Sequence, residues 1–325
     1  MRSRLIFRRL VVVVSLVILS CAATAVRAAD EPIRWKFTAG EVLDFSMDQD
    51  MNMNIQAGPA AQMTTTAEQT MNMSWNIKSV DDAGNAEIEQ RFKRIQLKMT
   101  VPGGQGLVYD TDSTEPAVGM AAMIAPTMEA MTAGSFTFKM TPRGEISDVK
   151  FSEELQKAIK GGPGGEAAGA EQFKSMVSQV AFVLPENAPK PGETWKTTVT
   201  VNNPAGGNQT VDTTYTFDGT READGTTFAV IKPSMNMQLA KNPMMEMKMK
   251  EQKTDGEVLF DLKAGRLHSM SVNLNITLDM IAQQMTMPGT IDQKIEVKVT
   301  PGDAKAAEAP TQPAAAKEPA EAAAK

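Results

Sequence analysis

The side chains with the clearest chemical pattern in this 325-residue chain are its 24 methionines. They recur two apart: Met51 and Met53, Met71 and Met73, Met235 and Met237, Met285 and Met287, and the run Met245, Met247 and Met249 inside NPMMEMKMKEQ. Thioether sulfur is a soft donor that favours Cu(I). On a β-strand residues i and i+2 point the same way, about 7 Å apart, so two sulfurs can converge on one ion. Met235, Met237, Met245, Met247 and Met249 are therefore the candidate Cu(I) ligands. Against this, most Met-x-Met pairs extend stripes whose other members, Phe45, Trp75, Ile77 or Leu239, cannot bind a metal. A stripe mixing Met with Phe, Trp and Ile in phase reads as a core face, where the flexible thioether fills irregular gaps. The core reading is preferred, with Glu246, Lys248 and Lys250 facing water. Met-lined surfaces also adapt to varied apolar partners, so part of such a face can hold a hydrophobic ligand.

The rest of the chemical inventory is sparse. His268 is the one histidine and Cys21 the one cysteine, which excludes the usual Cys/His zinc sites. His268, beside Leu267 and Met270, is expected to be a surface or packing residue. GGPGG lacks the Lys-Ser/Thr of a phosphate loop. Asp110, Asp112 and Glu115, and separately Asp44, Asp48 and Asp50, cluster oxygen donors but match no EF-hand spacing, and are read as solvated acids. No catalytic residue, cofactor or metal is assigned, and an enzyme is not expected; a carboxylate-based hydrolase is the second alternative, after Cu(I) handling.

The elements that carry these residues are mostly strands. Leu43, Phe45, Met47, Met51, Met53 and Ile55 share one phase and Asp44, Ser46, Asp48, Asp50, Asn52 and Asn54 the other, the signature of a long half-buried strand. Met71, Met73, Trp75 and Ile77 repeat it, and a turn at 81–85 leads into the next strand. There Ala86, Ile88 and Phe92 are out of phase with Ile95, Leu97, Met99 and Val101, which predicts a bulge near Lys93 and Arg94. Helical spacing covers 117–132, with Pro126 as a kink or break. Ser152 before Glu153 and Glu154 suits a capped helix over 153–160. Residues 161–169 have linker composition, and Phe173, Met176, Val177 and Val180 fit a short amphipathic helix over 170–183.

FTFKMTPRGEISDVKF (136–151) parallels VLFDLKAGRLHSMSV (258–272). AGEVLDFSM (39–47) parallels PGETWKTTV (191–199), and each stretch has an acidic Gly turn, DDAGN or EADGT. The expected fold class is mainly β (α+β): two related antiparallel β-rich halves with a few short helices between them. The divisions are a first half over 30–151, a helical connection over 152–185, a second half over 186–300, and a disordered Ala/Pro/Glu/Lys tail over 301–325.

Residues 1–28 read as a secretory signal: Arg2, Arg4, Arg8 and Arg9, a short apolar run from Leu10, and Val26-Arg27-Ala28 as the cleavage signal. Cleavage there removes five Arg and no acid, taking the net charge from -6 to -11. An acidic exported protein is a poor partner for nucleic acid or an anionic membrane, and no later segment has the ~20 apolar residues of a transmembrane span. The expected location is periplasmic or extracellular; Ile18-Leu19-Ser20-Cys21 also offers a lipoprotein box for anchoring at Cys21.

At RWKFTAGEVLDFSM, MNMSWNIKSVDDAGNAEI, FTFKMTPRGEISDVK and KPGETW the sequence resembles a bacterial family of exported proteins, domain of unknown function 6263, over about residues 33–300. The resemblance implies export and a β-rich duplication, and supplies no catalytic residues. It is more distantly similar to lipoprotein-carrier-like half-barrels, which cup a hydrophobic face. The function expected is non-catalytic binding of a hydrophobic ligand, or of an envelope protein partner, on a curved sheet.

Overall fold

The computed structural model describes residues 29, 31–58, 61–104, 106–161, 182–203, 207–238, 246–282 and 285–303. Among these the strands are β1 (Val42–Gln56), β2 (Gln62–Val80), β3 (Ala86–Thr100), β4 (Leu107–Asp110), β5 (Ser135–Met140), β6 (Ile146–Phe151), β7 (Thr194–Asn203), β8 (Gly207–Ala223), β9 (Thr226–Gln238), β10 (Glu246–Asp261), β11 (Arg266–Ala282) and β12 (Met285–Pro301). Two short helices, α1 (Met120–Ala133) and α2 (Glu153–Gly161), complete the described elements. The fold is mainly β: one antiparallel sheet in the order β6-β5-β3-β2-β1-β12-β11-β10-β9-β8-β7, with β4 on β3. Most neighbours are consecutive in the chain; β3 also pairs with β5, and β1 pairs with β12, which joins strands from the two ends of the described chain in register from Leu43↔Pro301 to Ile55↔Gly289. The signal, the 170–183 helix apart from Phe182 and Val183, and the tail beyond Asp303 lie outside the described residues.

The sheet is wrapped around its apolar face. Ring contacts run from Phe138 on β5 to Trp75 on β2 (5.6 Å), from Trp75 to Trp35 (6.2 Å), from Trp35 to Phe182 (6.1 Å) and on to Tyr215 on β8 (5.5 Å). Strands far apart in sheet order therefore share one core, into which Leu43, Phe45, Met73, Ile77, Ile88, Phe217, Phe260 and Val297 are also buried. At this end two irregular segments bridge hairpin turns. The Trp35 amide donates to Pro142 (2.8 Å), the Lys36 amide to Gly265 (2.8 Å), and the Leu184 amide to Arg143 (2.7 Å). Gly144, at φ 93°, leaves no room for a Cβ because the Phe182 carbonyl oxygen would lie 2.5 Å from it.

The bulge falls where the phase switch puts it. Asn72 opposes Arg94 while Met73 opposes Phe92, so Lys93 is the extra residue. Ile95, Leu97 and Met99 thereby return to the face that carries Met71, Gln69 and Ala67. α1 packs on that face, burying Ala121 and Ala125 against Leu107 and Tyr109. Two expectations need correction. α1 runs unbroken through Pro126; the lost amide is tolerated because the helix is held by packing of its apolar side chains on β3 and β4. The helices also do not both lie between the two runs of strands: α1 precedes β5, and only α2 follows β6. α2 starts where Ser152 and its two acids place it, with the Ser152 hydroxyl accepting from the Leu155 amide (3.5 Å).

Candidate ligand-binding face

Opposed residues on antiparallel strands point to the same side of a sheet, so the register traces the inner face strand by strand. From the packed end it runs Phe45, Met47, Gln49, Met51, Met53 and Ile55 on β1. Their partners on β12 are Val299, Val297, Ile295, Gln293, Ile291 and Gly289. On β11 the same face carries Met270, Val272, Leu274, Ile276, Leu278 and Met280. Toward the far end the strands outrun the aromatic core, and a second cluster forms there. Leu274, Ile276, Leu278 and Met280 are its buried members, with Ile55, Met237, Met247, Met249, Met287 and Ile291 packed against them. Met63 and Met285, at the strand starts, are 37% and 63% exposed. Three glutamines of the inner face, Gln49, Gln69 and Gln293, lie between this methionine-rich wall and the aromatic core.

One side of the wall is open in the hydrogen-bond ladder. β9 and β10 pair only from Val258↔Ile231 to Asp261↔Phe228. β10 continues in register with β11 to Glu246↔Ile281, and β9 with β8 to Gln238↔Thr210. Beyond Ile231 the gap is spanned by side chains. The Gln252 amide donates to the Met235 carbonyl (2.7 Å) and accepts from the Met237 amide (3.0 Å), while Thr254 Oγ1 accepts from the Met235 amide (3.1 Å).

Of the sequence-predicted metal candidates, Met235, Met237, Met247 and Met249 border this seam, on β9 and β10. Met245 lies outside the described residues. Glu246, Lys248 and Lys250 are exposed and Met247 and Met249 half-buried, the alternation expected of a strand with its methionines inward. A bulge at Lys250 separates Met249 from Gln252 and lets the Lys250 ammonium reach Asp279 (2.8 Å). Met280 carries no Met-x-Met signature; its signal in the sequence is the alternation Val272, Leu274, Ile276, Leu278, Met280. Met287 is part of a Met-x-Met pair, yet nothing in the sequence sets it opposite Met280.

The polar candidates are engaged elsewhere. Asp110 binds Arg94 through two contacts, at 3.0 and 2.6 Å, and this pairing holds its carboxyl down at about 2. Asp44 pairs with Lys93 (2.6 Å) and Asp48 accepts from Thr70 (2.7 Å) on the outer face. His268 is the extra residue of a second bulge, between Leu267 and Ser269, and its ring lies 4.8 Å from Phe228. In a shallow polar depression on the outer face, lined by Asp50, Asn52, Glu68, Asn273, Asn275 and Lys294, Glu68 pairs with Lys98 (3.0 Å), Asn275 with Asp292 (2.6 Å) and Lys294 with Glu296 (3.1 Å).

A family model described as a family of unknown function, DUF6263, matches residues 83–298. The chain belongs to this family. The DUF6263 match takes in β3 through most of β12, including every strand of the seam and all of β11. No curated protein matches the sequence. Among solved structures the chain is similar to lipovitellin, described for its lipid–protein interactions, at TM-score 0.48 and 10% identity. That likeness covers 82% of this chain and 25% of the other, so this chain spans a quarter of lipovitellin's length. It is also similar to DynF of the dynemicin biosynthesis pathway of Micromonospora chersina, at TM-score 0.21 and 6% identity over 84% of this chain and 87% of that one. Both are loose likenesses. No described helix is long and apolar enough to cross a membrane.

Proposed function

We propose that this DUF6263 protein is an exported, non-catalytic binding protein that holds a hydrophobic ligand on the inner face of its sheet. The observation that carries the reading is the continuation of the apolar face past the aromatic core, where half-buried Ile55, Met237, Met247, Met249, Met287 and Ile291 surround the buried Leu274, Ile276, Leu278 and Met280. A closed core has no use for such a wall, whereas flexible thioethers can follow an apolar surface of variable shape. The ligand class is an acyl chain or similar molecule with one polar end. Ligand sites pair an apolar lining with a few polar groups, and Gln49, Gln69 and Gln293 stand at the inner limit of the wall. Export rests on the basic and apolar residues of the first 28 positions.

The duplication belongs to the same proposal. What supports it is the matching of turns: the Gly40 amide donates to Ile77 and the Gly192 amide to Phe217, each at 2.8 Å. The Ile77 amide returns to Glu41 and the Phe217 amide to Glu193, each at 2.9 Å.

The test is titration with a dansyl-labelled undecanoic acid. A saturable, blue-shifted fluorescence gain that oleate displaces is expected. Placing a charge in the wall by Met53→Lys or Ile55→Lys is expected to weaken binding by about tenfold or more, because an ammonium is costly to bury unpaired. No saturable signal, or equal binding by the lysine variants, refutes the proposal.

A further inference from the structure

The register sets three methionines side by side across three adjacent strands: Met247 on β10 opposes Met280 on β11, and Met280 opposes Met287 on β12. We propose that Met247, Met280 and Met287 form a three-thioether site for Cu(I). This row of three sulfurs needs no apolar ligand on the face to bind an ion.

Neighbouring strands lie about 4.8 Å apart, so the outer two Cα atoms of the row are roughly 10 Å apart. A methionine side chain has three rotatable bonds and reaches inward from each flank to meet the central sulfur. Further sulfur lies close by on the same face. Met249, two residues from Met247, opposes Leu278, and Met285, two residues from Met287, opposes Ala282. Met237 joins the same cluster from across the seam.

The surroundings select the ion. The nearest acid on β11, Asp279, belongs to the opposite phase of its strand from Met280 and pairs with Lys250. The residues packed around the row, Leu278, Ile276, Ile55 and Ile291, are aliphatic. Hard divalent ions thus find no oxygen ligand among them, while soft thioethers match a soft monovalent ion. Desolvation scales with the square of the charge, so a single positive charge enters this wall at far lower cost than a double one. Access is open: Met247 and Met287 are half-buried, and Met285 is 63% exposed.

The test is anaerobic titration of the full chain with Cu(I) against bicinchoninate, with copper-edge X-ray absorption on the loaded protein. One Cu(I) per chain with an all-sulfur shell is expected. Met247→Leu, Met280→Leu and Met287→Leu combined conserve volume and should keep the fold, checked by near-ultraviolet circular dichroism and by an unchanged urea midpoint. The triple variant is expected to lose Cu(I) affinity by about 100-fold or more, since even outer-shell changes cost 10–100-fold. Met51→Leu with Met53→Leu should leave it unchanged. Wild-type protein that yields all its copper to bicinchoninate overturns the proposal. So does a triple variant that holds copper as wild type does, or a shell of nitrogen and oxygen. Dansyl fatty-acid binding reports on the apolar-ligand reading separately, so either proposal can fail alone.

Discussion

Asp110 gathers donors from three sides: Arg94 Nε and Nη2, Gln96 Nε2 (3.1 Å) and the Asp112 amide (3.0 Å). The Arg94 hydrogen bonds do most to hold its carboxyl at about 2, below the ordinary 3.8. A carboxylate lowered in this way lends stability that is complete above its unfolded pKa and is lost as the pH falls through its folded one. The protein is therefore expected to lose stability between about pH 4 and about pH 2, with Asp110→Asn flattening that part of the profile. Urea denaturation at a series of pH values measures this, and an unchanged slope in the variant removes Asp110 as the source. Gln90 illustrates a different dependence. It is a buried polar residue whose Oε1 accepts from Trp75 Nε1 at 2.8 Å. Its position in phase with Ile88 and Phe92 is plain in the sequence; its partner, fifteen residues away, is fixed only when β2 and β3 pair.

Among the elements, strand alternation is the most legible feature, and the Lys93 bulge follows from it because a phase switch in a continuous strand needs one extra residue. The fate of Pro126 was not legible, since local propensity disfavours a helix there and packing on β3 and β4 overrides it. The β9–β10 seam leaves no mark in the sequence at all. Its closure by Gln252 makes a specific prediction. Gln252→Ala removes the acceptor of the Met237 amide, so that amide should exchange with deuterium about tenfold faster or more, a loss of ~1–2 kcal/mol of local protection. The Phe217 amide, held by Glu193, should be unaffected. Equal exchange at Met237 in both proteins means that Gln252 does not hold the seam.

For the whole molecule the decisive residue is Trp35. It sits before the first strand yet touches rings of Trp75, Phe182 and Phe260, the last at 5.2 Å, and its backbone amide ties the β5–β6 turn. It thus joins β2 and the β5–β6 turn to β10, on the other side of β1 and β12 in the sheet order. Trp35→Ala is expected to cost ~3–5 kcal/mol, read as a lower urea midpoint. A cost under about 1 kcal/mol, the level of a typical surface change, would show that the wrapped core does not depend on it.

The sequence by itself determined the alternation of β1, β2, β3 and the start of β10, the apolar face of each, and the turn at 81–85, because these follow from a period of two and from short-range backbone preferences. It also carried the family resemblance. It left open that β1 and β12 pair, that the sheet is continuous and wrapped, and that Met247, Met280 and Met287 fall in one row. Those are matters of strand order and register between residues far apart in the chain. Alternation says only that a methionine faces inward; pairing decides which other methionine it faces.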